Sequence, residues 1–162
     1  MYKNIILIGM PGCGKSTCGV LAAKALCKSF IDTDLLIQEK EKMRLQDIIE
    51  KQGNEYFEKT EENVLLSVKE QNSIIATGGS AVYSDKAMNY LRKNGTVVYL
   101  KIGYEEMIRR ISNMKTRGIL LRNGETIEQM FHSRESLYEK YADVIIDCSG
   151  KIEDTVEKIC EI

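Results

Sequence analysis

Residues 3–17, Lys-Asn-Ile-Ile-Leu-Ile-Gly-Met-Pro-Gly-Cys-Gly-Lys-Ser-Thr, constrain the fold more than any other stretch. Ile5, Ile6, Leu7 and Ile8 form an apolar, mostly β-branched run, which predicts a buried strand. Gly9 to Ser16 then satisfies G-x-x-x-x-G-K-[ST] at every fixed position. Thr17 to Cys27 carries Val20, Leu21, Ala23, Ala25 and Leu26 and predicts a helix. Glycines in such a loop permit backbone turns that aim successive N–H groups at one centre. The following helix adds its unpaired N–H groups and the positive end of its dipole. Lys15 supplies a point charge for the outer phosphates, and the Ser16 hydroxyl can ligate Mg²⁺. Flanked by strand and helix as the mechanism requires, the loop predicts binding of a nucleoside triphosphate.

The 162 residues suit one domain with a real core, and 43% hydrophobic with 29% charged residues describe a soluble globular chain. A net charge of −1 gives no reason to expect nucleic acid or an anionic membrane as partner. No apolar run reaches membrane-spanning length, and the chain enters a strand at once, so no signal peptide is expected. Cys13, Cys18, Cys27, Cys148 and Cys160 are odd in number and form no C-x-x-C pair, and His132 is the single histidine. That usage suits a reducing cytoplasm rather than a zinc site or disulfide framework. Cys13 lies where a helix N-terminus would stabilise a thiolate, yet reads as an inert replacement for another small residue.

Beyond the first helix, Phe30 and Ile31 predict a short second strand ending in Asp32-Thr33-Asp34. Residues 35–52 predict one or two short helices, Gly53 breaks the pattern, and residues 54–70 predict another helix. Residues 73–76 read as a third strand closed by Thr77-Gly78-Gly79-Ser80. A helix over 84–93 is expected to end at Gly95 as a left-handed cap. Residues 96–102 read as a fourth strand and 104–112 as a helix. Lys115, Arg117 and Arg122 mark a basic, mobile loop over 113–124. A helix over 125–141, a fifth strand at 144–147 and a helix over 151–161 complete the chain. Strict alternation predicts an α/β fold with a parallel sheet and helices on both faces, its ligands beyond the carboxyl ends of the strands.

Three uses of a bound triphosphate are open: a small-molecule kinase, a regulatory GTPase, or a mechanical ATPase. The chain has no Asn-Lys-x-Asp guanine reader, and its Asp147-Cys148-Ser149-Gly150 comes after the fifth strand, too late for a switch. A mechanical ATPase needs more chain. A kinase needs an acceptor pocket, a base and a cover. If the backbone is extended at Asp32 and Asp34, both carboxylates face one way, one for the Mg²⁺ shell and one as base. Alternatively, Asp34 caps a helix beginning at Leu35. Arg117 on the loop can close over the phosphates, stabilise the transferring group and help exclude water.

On these residues the chain resembles the shikimate kinase family over essentially its full length. The family's phosphate loop is matched by residues 9–17, and its Asp-x-Asp by Asp32 and Asp34. Its Gly-Gly-Gly appears as Gly78-Gly79-Ser80, and its lid Arg-Pro-Leu-Leu as Arg117-Gly118-Ile119-Leu120. Arg110 stands at the adenine-stacking arginine, and its Arg-x-Pro-Leu-Tyr appears as Arg134-Glu135-Ser136-Leu137-Tyr138. The resemblance implies a three-layer α/β/α fold like that of nucleoside monophosphate kinases, in a single domain over 1–162. A five-stranded parallel sheet, a substrate-binding helical region at about 33–62 and a lid at about 112–124 belong to it. It also implies transfer of the ATP γ-phosphoryl to the 3-hydroxyl of shikimate in aromatic amino-acid biosynthesis, by a cytoplasmic monomer. Lys15, Asp34 and Arg117 would be catalytic. Gly12, Cys13, Gly14, Lys15, Ser16, Thr17, Arg110 and Arg117 would hold ATP, and Ser16 and Asp32 the Mg²⁺. Asp34, Glu58, Glu61, Gly78, Gly79 and Arg134 would meet the substrate.

One position departs. The family's Gly-Glu-x-x-Phe-Arg-x-x-Glu reads Gly53-Asn54-Glu55-Tyr56-Phe57-Glu58-Lys59-Thr60-Glu61 here, so a carboxylate-binding arginine has become Glu58. Losing a buried charge partner costs about 2–5 kcal/mol. Either another cation, with Lys59, Arg44 and Lys115 as candidates, takes over the carboxylate, or the acceptor is a different polyol. A nucleotide-binding module without transfer is a further alternative.

Overall fold

The computed structural model describes residues 3–112 and 118–162. The elements run β1 (Asn4–Ile8), α1 (Lys15–Ala25), β2 (Ser29–Asp32), α2 (Thr33–Glu41), α3 (Leu45–Gln52), α4 (Asn54–Ser67) and β3 (Ser73–Ala76). After a 3-10 turn at Ala81–Tyr83 come α5 (Asp85–Asn94), β4 (Gly95–Lys101), α6 (Tyr104–Ser112), α7 (Ile127–Tyr141), β5 (Val144–Asp147) and α8 (Ile152–Cys160). The five strands pair in parallel in the order β2-β3-β1-β4-β5. All five residues of β1 are buried, as its unbroken apolar run requires of a strand covered on both sides. β1 has β3 on one side and β4 on the other, with Ile6 opposite both Ile75 and Val97. The connection order therefore reverses at β1, opening a crevice beyond its carboxyl end, where ligands of such sheets bind. The fold is the three-layer α/β/α arrangement expected. No described helix is long and apolar enough to cross a membrane.

Two apolar clusters support the two sides of that crevice. The larger holds the sheet, with Ile6, Leu7, Ile8, Leu65, Val98 and Leu100 fully buried. The smaller consists of Ile37, Ile48, Phe57, Val64 and Leu120, and ties α2, α3 and α4 to the segment after α6. It is the floor of the helical region expected at about 33–62.

Three local expectations are corrected. The backbone is not extended through Asp32-Thr33-Asp34: α2 starts at Thr33, and Asp32, not Asp34, is its N-cap, accepting from the Asp34 N–H at 3.0 Å. Helix α1 begins at Lys15, two residues earlier than the apolar pattern suggested, because Gly14 turns into it with φ 99°. Gly95 is no left-handed cap. It is the first residue of β4, and a Cβ there would lie 2.5 Å from the Asn4 carbonyl oxygen of β1, so close strand approach requires glycine. The lid expected over about 112–124 falls in part on 113–117, outside the described residues.

Candidate active site

A cleft of about 570 Å³ opens at the carboxyl end of β1. Gly12, Cys13, Gly14, Lys15, Ser16, Thr17 and Arg110 line one end of it, and Asp34, Gly78, Gly79 and Arg134 the other, with Asp32 also on its wall. The first helical hydrogen bond of α1 is Cys18 N–H to the Gly14 carbonyl at 2.8 Å, so the N–H groups just ahead are not used by the helix. No side chain caps that end and no acid sits in its first turn. Lys15 is buried and donates to the Gly9 and Met10 carbonyls at 2.8 and 3.0 Å, with the Cys13 sulfur at 3.6 Å. Neutral carbonyls are weak partners for an ammonium compared with phosphate, so the lysine is held near the loop but not neutralised. A Cβ on Gly9 would lie 2.6 Å from the Leu100 carbonyl oxygen, at a φ of 149° that other residues avoid.

The Ser16 hydroxyl donates to Asp32 Oδ2 at 2.7 Å, while Asp32 Oδ1 caps α2. Two hard oxygen donors locked together at the phosphate end suit Mg²⁺, which takes one or two protein oxygens and completes its shell with phosphate and water. Arg110 is anchored on three sides: to Glu106 at 2.6 Å, to the Gly12 carbonyl at 3.2 Å and to the Cys148 carbonyl at 3.1 Å. It joins the phosphate loop to the chain leaving β5. Gly150, Ile152 and Thr155 on that side also line the cleft. All five cysteines are unpaired thiols, and burial raises the pKa values of Cys18 and Cys148.

At the other end, two carboxylates crowd Gly78. A Cβ on Gly78 would lie 2.5 Å from Glu61 Oε1 and 2.7 Å from Asp34 Oδ1, so only glycine lets the chain pass between them. Glu61 does not line the cleft and stands behind Gly78. Burial, with Asp34 nearby, pushes its carboxyl up to about 8 against the pull of the Ser80 hydroxyl, 2.6 Å from Oε2. Its Oε1 has no hydrogen-bond partner among the described residues. Arg134 is 1% exposed. Its Nε donates to the Tyr83 hydroxyl at 3.2 Å and its Nη2 to the Leu120 carbonyl at 2.6 Å. The Tyr138 hydroxyl donates to the Gly79 carbonyl at 2.6 Å and fixes that turn. Among the described residues, no carboxylate comes within ion-pair distance of Arg134.

Arg117 lies outside the described residues. Immediately after it, residues 118–122 cross the acceptor side as a strap. A Cβ on Gly118 would lie 2.8 Å from the Gln46 amide nitrogen, Leu120 is buried in the smaller cluster, and Asn54 Nδ2 donates to the Leu121 carbonyl at 2.6 Å. Glu58 is not on the cleft wall; its Oε1 is 3.4 Å from Arg122 Nε. Of the cations considered in its place, Arg44 pairs with Asp47 at 3.0 Å, Lys59 is exposed, and Lys115 lies outside the described residues. The sequence reading passed over Tyr83 and named Leu120 only as part of the lid motif. It noted Arg122 and Tyr138 only as parts of a basic loop and a family motif, and Ser80 only as an altered glycine, because their partners are distant in the chain.

The shikimate kinase family model matches residues 11–162. The chain is 38% identical to the shikimate kinase of Caldanaerobacter subterraneus, covering 98% of this chain and 92% of that one. It is 37% identical to that of Clostridium botulinum strain Alaska E43, covering 100% and 98%. The shikimate kinase from Acinetobacter baumannii, solved in complex with shikimate, superposes with a TM-score of 0.91 at 29% identity, covering 99% of this chain and 92% of that one. The chain belongs to the shikimate kinase family.

Proposed function

We propose that this chain, working as one domain, transfers the γ-phosphoryl of ATP to the 3-hydroxyl of shikimate. The observation that carries the reading is Arg134: a fully buried guanidinium, with no carboxylate within ion-pair distance among the described residues, lines the cleft that also holds the phosphate loop. A buried cation of this kind calls for an anionic ligand. An acid bearing hydroxyl groups satisfies it and brings an alcohol toward Asp34.

The triphosphate tail lies along the loop and the start of α1, and Lys15 exchanges its carbonyl contacts for phosphate oxygens. Ser16 and Asp32 would hold the Mg²⁺, which would supply charge neutralisation for the phosphates. Asp34, on the first turn of α2, takes the proton of the acceptor hydroxyl. The oxygen forms its bond to the γ-phosphorus as the bond to the β-phosphate oxygen breaks, and ADP leaves. Glu61, protonated near neutrality, adds no second negative charge beside Asp34. Arg117 is assigned to the charge on the transferring group, and Arg110 to one face of the adenine. Free thiols throughout suit a cytoplasmic enzyme.

A coupled ADP-release assay with ATP and Mg²⁺ tests the reading. ADP release should depend on added shikimate, and Lys15→Ala and Asp34→Asn should each lower kcat by at least about 100-fold. ADP release indifferent to shikimate, or an Asp34→Asn enzyme of normal rate, would overturn it.

A further inference from the structure

The acceptor side carries a second arginine in an unusual setting. The Arg122 guanidinium lies over the Tyr83 ring, with Cζ 3.9 Å from its centre. The Arg134 Cζ is 5.2 Å from the same ring centre, and its Nε donates to the Tyr83 hydroxyl at 3.2 Å. One aromatic ring thus holds two guanidinium groups, which would otherwise repel, at the edge of the acceptor side.

The two arginines differ in what they lack. Arg134 is buried and leans on the neutral Leu120 carbonyl. Arg122 is half exposed; Glu58 engages only its Nε, at 3.4 Å, and its terminal nitrogens have no partner among the described residues. An ion pair so long and so open to water is weak and readily exchanged. The stack on Tyr83 and the Nε contact orient the plane, leaving the two terminal N–H groups as an open fork, the shape that grips a carboxylate at two points. Arg122 lies just outside the cleft wall, in a neighbouring pocket that it shares with Glu58, and the strap that carries it also carries Leu120, which does line the cleft beside Arg134.

We propose that Arg122 is a specificity-determining residue for the acceptor's carboxylate, gripping it from the strap while Arg134 holds it from the core. Tyr83 and Glu58 are positioning residues that set the Arg122 fork. The assignment rests on the reading of the acceptor as a hydroxy acid.

Steady-state kinetics with shikimate and with its uncharged methyl ester test it, alongside thermal melts to verify folding. Arg122→Gln should lower kcat/KM for shikimate by about tenfold, mostly through KM, while the ester loses less than about threefold and the KM for ATP stays within about twofold. Arg122→Lys, which keeps the charge but not the fork, should fall between the two. Glu58→Gln should change the acid-to-ester preference by less than Arg122→Gln does. Equal losses for acid and ester, or no loss with shikimate, would overturn the assignment while leaving the kinase reading intact. Wild-type protein that does not turn over shikimate would overturn both.

Discussion

Burial behind Gly78 leaves Glu61 a carboxyl that holds its proton to about pH 8, where an unfolded glutamate releases it near 4.5. Between those values the folded state binds more protons than the unfolded one, so this residue's contribution to stability falls as pH rises. Glu61→Gln keeps the shape and can still bond Ser80, but cannot ionise. Urea unfolding of both proteins at pH 5 and pH 8 should show wild type losing on the order of 3 kcal/mol relative to the glutamine variant. A difference that does not vary with pH would mean that Glu61 is ionised in the fold. The family motif singles out Glu61 as a substrate contact, but its burial behind Gly78 and its raised pKa were not legible in the sequence, because the groups that bury it are distant in the chain. Lys15 and Ser16 were legible, because a fixed local spacing defines their surroundings. The aspartate pair was half legible. Its place at a strand end was read correctly, but the helix starts one residue after Asp32, which sends the two carboxylates to different tasks, capping with Ser16 and facing Gly78.

Among the elements, the central strands β1, β3 and β4 were read well because apolar runs in a parallel sheet announce burial on both faces, while the edge strands β2 and β5 are only partly buried. The breaks were read less well. Gly95 looks like a helix terminator, yet it is glycine for the sake of β1, a neighbour 91 positions away in the register with Asn4. The same non-local logic governs the strap. Gly118 approaches α3 so closely that a methyl group would stand 2.8 Å from a backbone nitrogen, which cannot move aside as a flexible side chain would. Gly118→Ala should therefore lift the strap from α3, lower Tm by about 2–4 °C and raise the KM for shikimate more than that for ATP. An alanine variant that melts and binds like wild type would show that the strap tolerates displacement. The Arg122–Glu58 pair belongs with this element too: the charges at 58 and 122 are ordinary surface charges until the strap brings them together.

At the scale of the whole molecule, the chain is divided by its two apolar clusters into a broad sheet core and a small satellite under α2, α3 and α4. Among the described residues the satellite has five buried members, and one of them, Leu120, is lent by the strap. Few buried apolar groups mean a low local opening free energy, so this region is expected to unfold locally well before the sheet does. When the strap opens, Leu120 leaves, and Ile37, Ile48, Phe57 and Val64 lose the side chain that covers them. An acid bound between Arg134 and the strap holds that cover in place, and by linkage the satellite is stabilised by the ligand it helps to bind. Hydrogen exchange followed by mass spectrometry should find the amides of 33–52 exchanging well ahead of those in β1, β3 and β4. Saturating shikimate should slow the former by about tenfold or more and leave the sheet unchanged. Uniform exchange across both clusters, or protection confined to the sheet, would contradict this division, because the acceptor would then be stabilising something other than the helices that cradle it.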